Sequence, residues 1–317
     1  GLAAYREFAE KYPESAQAGE AMFKIAELQR AKAESIGRYG ALNEQERSLW
    51  KTLIEGSIAS SEEMIKKYPD SPSLALALQT LLQTQRMLLG AELKKAPEVE
   101  QYLQTLADSA PTPNAKSKIL FALAIYVSEQ DKARALTIMN QAFNPEILYS
   151  PQDMDFYGLA LVGEKKLPEA NAIFEKLAKD YPVPAGVAPA QAAQIVQEAQ
   201  ANALFGKGRI AREQGQTAEA GKLFEQLKAL YPWSPKVLEA DYGIALSLKQ
   251  QGKPDEALAL LTGLIRAQTA TAELRADGML LGGDLMVDKM NASADAKEKD
   301  EFLAAAIDYY IKIAQFY

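Results

Sequence analysis

A short phrase that recurs along the chain limits the folds open to it. Tyrosine followed by proline occurs at 12–13, 68–69, 181–182 and 231–232, and in three copies a serine follows closely. Each copy ends an amphipathic stretch. Proline lacks the amide proton that a helix interior needs and disfavours helical geometry in the residue before it. A following Ser or Asp can cap the next helix. The phrase therefore predicts a series of helices, each of which stops at a proline and is followed by another.

A second pattern lies ahead of two of these prolines. It consists of a small residue, an aromatic residue four positions later, a leucine three positions after that, and proline five positions further on. The copies are Ala170, Phe174, Leu177 and Pro182, and Ala220, Phe224, Leu227 and Pro232. Steps of four and three place these side chains on one helical face. Upstream, Leu204, Gly208, Ala211 and Gly215 predict a partner helix with one glycine at the crossing and one at its end.

These residues resemble the tetratricopeptide repeat, whose period is 34 residues. The prolines at 13, 69, 111, 145, 182 and 232 lie 56, 42, 34, 37 and 50 residues apart. The resemblance implies an all-α, right-handed solenoid of helical hairpins, with about seven helix pairs after a leading half-repeat. One continuous domain over 1–317 is expected. The segments 112–182 and 200–269 match best, whereas 14–111 and 270–317 match as looser, elongated pairs.

The composition of the 317-residue chain excludes several classes of protein. It contains no histidine and no cysteine, which excludes Cys–His nucleophiles, Ser-His-Asp triads and disulfides. Its net charge is −7, and no basic stripe indicates nucleic acid as a partner. No apolar run is long enough to span a membrane. We predict no enzymatic activity, no cofactor and no metal, and we interpret Asp153 and Asp155 as favourable charges at a helix N-terminus.

The resemblance also implies a binding surface, because the first helix of each pair in this family lines a concave groove that takes up a peptide or helix. The groove candidates are Gln152, Asp155, Leu159, Asn202, Phe205, Arg209, Arg212, Glu239, Tyr242, Leu246 and Lys249. Arg209 and Arg212, with Lys207 nearby, predict a basic spot suited to a carboxylate. The Lys and Asn clamp of chaperone-binding members is missing, because its second position falls at Phe156, Gly206 and Gly243.

The expected function is a non-enzymatic scaffold for protein–protein contacts. The segment from Glu7 to Ser15 is similar to repeats of bacterial cell-envelope members of the family, so a periplasmic or envelope location is expected and a cytoplasmic one stays open. Two alternatives remain, a glycan-binding or glycan-processing helical protein and a structural spacer within a larger chain. Both ends fall inside helical patterns, so we expect a longer protein from which a signal or anchor was trimmed. Exposed end repeats at Gly1 and Tyr317 would allow a homodimer.

Overall fold

A computed structural model describes residues 1–316 of the chain, and fifteen α-helices and no strands lie in that range. The helices are α1 (Leu2–Lys11), α2 (Ala16–Ile36), α3 (Glu44–Lys67), α4 (Leu74–Gly90), α5 (Ala96–Asp108), α6 (Pro113–Val127), α7 (Lys132–Ala142), α8 (Pro151–Gly163), α9 (Leu167–Asp180), α10 (Gln194–Glu213), α11 (Thr217–Leu230), α12 (Val237–Gln250), α13 (Pro254–Arg266), α14 (Ala272–Ala292) and α15 (Ala296–Phe316). The predicted all-α class and the helix order are confirmed.

A separate 3-10 turn, Pro189–Gln191, precedes α10, which begins at Gln194. The side-chain amide of Gln197 holds this turn, since its Nε2 donates to the carbonyl oxygens of Ala190 (3.3 Å) and Ala192 (2.7 Å). The predicted end of the last helix at Tyr317 lies outside the described residues.

The Tyr-Pro phrase ends four helices in nearly the same conformation. Tyr12, Tyr68, Tyr181 and Tyr231 terminate α1, α3, α9 and α11 with φ between −124° and −134° and ψ between 53° and 65°. These ψ values lie outside the helical range, as expected for a residue before proline. In three copies the tyrosine carbonyl accepts a hydrogen bond of 3.0 Å from the serine amide three residues later. The phrase therefore forms a repeated turn that follows the second helix of a pair.

The chain divides into two compact units, Gly1–Asp153 and Met154–Tyr317. Within each unit most consecutive helices pack side by side, as α2 with α3 and α10 with α11 do. Alternate helices also touch, as α2 with α4 and α4 with α6 in the first unit, and α12 with α14 in the second. This is the packing of stacked helical hairpins, in which each pair buries its apolar face against its neighbours. A single solenoid across 1–317 stays a prediction.

In the first unit, small polar side chains hold three helices together. Ser57 of α3 is fully buried and donates to the carbonyl oxygen of Ala26 in α2 at 2.9 Å. Its hydroxyl also lies 3.2 Å from that of Thr84 in α4. Their small size lets the helices approach, and their mutual bonds satisfy polar groups that would be costly to bury unpaired.

In the second unit, the ring of Phe224 lies between two glycines of neighbouring helices. Phe224 of α11 is fully buried. A Cβ atom added to Gly208 of α10 would lie 2.5 Å from this ring, and one added to Gly243 of α12 would lie 2.2 Å from it. No carbon atoms pack that closely, so both first helices need glycine where they meet the ring. The prediction of a glycine at the helix crossing is confirmed for Gly208.

Phe174 of α9 occupies the equivalent place one repeat earlier. A Cβ atom would lie 2.5 Å from its ring at Gly158 of α8 and 2.2 Å from it at Gly206 of α10. Gly206 and Gly243 stand at the second position of the Lys and Asn clamp found in chaperone-binding members. Both have a packing role that the sequence analysis does not predict. The shared position of Phe174 and Phe224 in the repeat pattern was the sequence signal for this role.

No helix in the described range 1–316 has an apolar stretch that meets the length and hydropathy required to cross a bilayer.

We predict that Gly243→Ala lowers the free energy of unfolding by about 1–3 kcal/mol, because the new methyl group overpacks the Phe224 ring. Urea denaturation followed by circular dichroism measures the change. Gly263→Ala in α13 is the matched control, since its Cβ would meet nothing within 4 Å. It should stabilise the protein by about 0.5–1 kcal/mol. Phe224→Leu should recover part of the loss when combined with Gly243→Ala, and equal effects of the two glycine substitutions would contradict this account.

Candidate functional site

The structure places the predicted groove residues in quite different environments. Gln152 belongs to the first unit and is exposed. All the others lie in the second unit. Four of them, Arg209, Arg212, Glu239 and Tyr242, line one cleft of about 410 Å³. That volume falls within the range of ligand pockets.

The cleft is formed by the first helices of three successive pairs. Arg209 and Arg212 come from α10, and Glu239 and Tyr242 come from α12. The segment that leads into α14, and its first two turns, complete the cleft. The residues that the sequence analysis missed are Pro235, Leu238, Thr269, Thr271, Glu273, Leu274 and Asp277. The repeat pattern indicated that α14 is a first helix, but no proline marked its register, so its groove positions were not assigned.

Arg209 does not contribute a free positive charge to the cleft. Its guanidinium forms an ion pair with Glu239 of α12, which is also a predicted groove residue. Its Nε is buried without a hydrogen-bond partner among the described residues. Lys249 is likewise paired, with Asp288 of α14 at 3.1 Å. The expected basic spot is therefore partly neutralised, because side chains on successive first helices reach one another across the groove.

Arg212 is the cation of the cleft that forms no ion pair with any residue from 1 to 316. It is half-buried, and the nearby carboxylates of Glu239 and Glu213 favour its charged form without contacting it. Burial lowers the pKa of Arg212, and the neighbouring charge of Arg209 lowers it further. A partly desolvated guanidinium without a carboxylate is a favourable place for an anionic group, which it can bind with two parallel hydrogen bonds.

The opposite side of the cleft is acidic. Glu273 and Asp277 lie on the first two turns of α14 and form no ion pair with other described residues. Partial desolvation raises the pKa of Asp277, as do the carboxylates of Glu273 and Glu239, and Arg212 opposes them. The cleft therefore combines one unpaired cation with two unpaired carboxylates.

Asp155 differs most from its predicted role at a helix N-terminus. It is 8% exposed, and its Oδ2 lies 2.6 Å from Nζ of Lys236. Its Oδ1 is buried with no hydrogen-bond partner in the described chain. The Lys236 ammonium also lies over the ring of Phe205, 5.0 Å from the ring centre. Burial raises the pKa of Asp155, although the charge of Lys236 lowers it. This is a buried ion pair.

The apolar groove candidates belong mainly to the core. Phe205 is fully buried, with its ring centre 5.8 Å from that of Phe224. Leu159 and Leu246 are half-buried against the same cluster, and Asn202 is 6% exposed. The expectation that Phe205 faces a ligand is therefore wrong, because its side of α10 packs against α11.

No group of three or more acidic side chains that could hold a metal ion was found among the described residues.

We predict that Lys236→Met lowers the free energy of unfolding by about 3–5 kcal/mol, because it leaves the Asp155 carboxylate buried without a counter-charge. Replacing both members, as in Asp155→Leu with Lys236→Met, should bring stability close to that of the original protein. Urea titration of the two single variants and the double variant gives the coupling energy. Additive single effects would rule out a direct pair.

The raised pKa of Asp155 predicts a pH dependence of stability. The folded state keeps this proton to a higher pH than the unfolded state, whose pKa is near the ordinary 3.8. The contribution of Asp155 to stability therefore falls as pH rises from below that value through the raised folded pKa. Asp155→Asn should remove this fall and leave the effects of Lys236, Glu239 and Arg209, the other charges around it, in place. Unfolding midpoints measured from pH 3 to pH 8 test this, and an unchanged slope would contradict it.

A comparison with protein families matches part of the second unit. The model of the tetratricopeptide repeat matches residues 202–232 and 239–267, which cover most of the hairpins α10–α11 and α12–α13. The comparison with curated proteins gave no match.

Two solved structures are similar to this chain at low sequence identity. A tetratricopeptide repeat protein from Parabacteroides merdae is 17% identical over 90% of this chain and 99% of its own, with a TM-score of 0.48. Yeast Tom70 is 16% identical over 94% of this chain and 61% of its own, with a TM-score of 0.47. Similarity at this level carries nothing about function. The family match shows that the stretch from α10 to α13 is similar to tetratricopeptide repeats, and the hairpins of this stretch pack as such repeats do.

Proposed function

We propose that this chain is a non-enzymatic scaffold that binds a peptide or helix of a protein partner in the cleft between α10, α12 and α14. Proteins of the tetratricopeptide-repeat family bind protein partners. The cleft of about 410 Å³ carries the proposal, because it lies along first helices and combines apolar walls with unpaired charges. Such a mixture orients a polypeptide while burying part of its surface.

The apolar and polar parts of the cleft have separate roles in the proposed binding. Leu238 and Leu274 offer aliphatic contact from α12 and α14. Tyr242 also lines the cleft, and its hydroxyl has no hydrogen-bond partner among residues 1–316, so it can donate to or accept from a peptide backbone. Arg212 supplies the positive charge that we expect to hold a carboxylate of the partner.

We place the scaffold in a bacterial envelope complex. The support is the sequence from Glu7 to Ser15, which is similar to repeats of envelope members of the family, and the absence of cysteine is compatible with that compartment. The partner's location tests this part of the proposal separately from the cleft.

The test is capture of a partner by the immobilised chain from envelope and cytosolic extracts of the organism that expresses it, read by mass spectrometry. Leu274→Asp places a charge on the apolar wall of the cleft and should reduce capture at least about tenfold, because it buries an unpaired carboxylate on binding. Leu280→Asp is the matched control. It lies on the same helix, does not line the cleft and is 51% exposed.

Capture that is equal for Leu274→Asp and Leu280→Asp would refute the cleft as the binding site. Absence of any cleft-dependent partner from both extracts would refute the function. Circular dichroism of both variants shows that they are folded before capture is compared.

A further inference from the structure

Arg212 and Asp277 face the same cleft from opposite sides without pairing. Arg212 lies on α10 and Asp277 on α14, with α12 between them. Arg212 lowers the pKa of Asp277. Asp277 raises the pKa of Tyr242, and Arg212 lowers it. The two charges are thus close enough to interact, yet no ion pair joins them.

Other opposite charges on neighbouring helices of the second unit do pair directly. Lys228 of α11 contacts Asp241 of α12 at 2.7 Å, and Lys289 of α14 contacts Asp255 of α13 at 2.7 Å. The Lys249–Asp288 pair joins α12 to α14 in the same way. Arg212 and Asp277 differ from these pairs, because no ion pair joins them across the cleft.

The floor between the two charges is suited to a polypeptide. Tyr242 lies there, half-buried, and burial raises its pKa, so the phenol is protonated at neutral pH and can donate a hydrogen bond. Leu238 and Leu274 flank it. A peptide in the cleft would contact the cation of Arg212 on α10. It would also contact the hydroxyl of Tyr242 on α12 and the carboxylates of Glu273 and Asp277 on α14.

We propose, on the basis of the binding function above, that the cleft recognises a peptide segment carrying a carboxylate and a basic side chain a few residues apart. The carboxylate lies at Arg212, and the basic side chain lies at Asp277 and Glu273. The order of the two charges along a given segment sets the direction in which that segment lies in the cleft. Recognition therefore depends on both charges.

Segments of a single charge sign are disfavoured by the same geometry. A wholly acidic peptide meets only one available cation, because Arg209 is held by Glu239, and it is repelled by Glu273 and Asp277. A wholly basic peptide is repelled by the partly desolvated Arg212. Repulsion between like charges weakens the binding of such peptides, so the cleft discriminates against them.

The test is selection from a display library of random twelve-residue peptides on the full chain, followed by affinity measurements with the selected peptides. We expect selected peptides to carry an acidic and a basic residue a few positions apart. Arg212→Gln should weaken their binding about fivefold and remove the preference for the acidic residue. Asp277→Asn should remove the preference for the basic one. Exchanging the charges, as in Arg212→Asp with Asp277→Arg, should restore the selection of peptides that carry both charges.

Lys289→Gln and Asp255→Asn are the matched controls, because they remove charges of the same kinds that are paired outside the cleft. They should leave selection unchanged. Peptides that bind and depend on Leu274, but show no paired charges, would overturn this inference and leave the binding function standing. Failure to select any peptide whose binding depends on Leu274 would overturn both.

Discussion

Two phenylalanine rings set the distances between helices in the second unit, because each lies between glycines of two neighbouring first helices. Phe224 needs Gly208 and Gly243, and Phe174 needs Gly158 and Gly206. Close packing leaves no room for a methyl group at these four positions. Helix α10 carries two of the glycines and meets both rings. Its position therefore depends on the repeat before it as well as on its own hairpin partner.

The cleft depends on this packing. Arg209 and Arg212 lie on α10, the same helix that the two rings position, and Glu239 and Tyr242 lie on α12, which meets Phe224 through Gly243. The glycines direct the second helices to one side of the first helices. The polar faces of α10, α12 and α14 are then left next to one another on the other side. A rigid row of helices can hold charges at fixed separations, which loops do less well.

Burial determines which of these charges are available to a partner. Asp155 and Lys236 satisfy each other beneath the surface, beside the ring of Phe205, and Glu239 neutralises Arg209. Arg212 and Asp277 line the cleft without forming an ion pair. The binding that we propose depends on these two charges rather than on the net charge of −7, which gives no indication of an available arginine.

The sequence alone determined the order of the helices, their ends at the Tyr-Pro phrases and the glycine at position 208, because proline chemistry and helical periodicity act over a few residues. It also brought Arg209, Arg212, Glu239 and Tyr242 into one predicted groove. Only the tertiary structure decided that Phe205 is buried, that Asp155 is paired, and that Glu273, Leu274 and Asp277 complete the cleft. These outcomes depend on distances between side chains on different helices, which for Asp155 and Lys236 are 81 residues apart along the chain, and local pattern rules do not contain such distances.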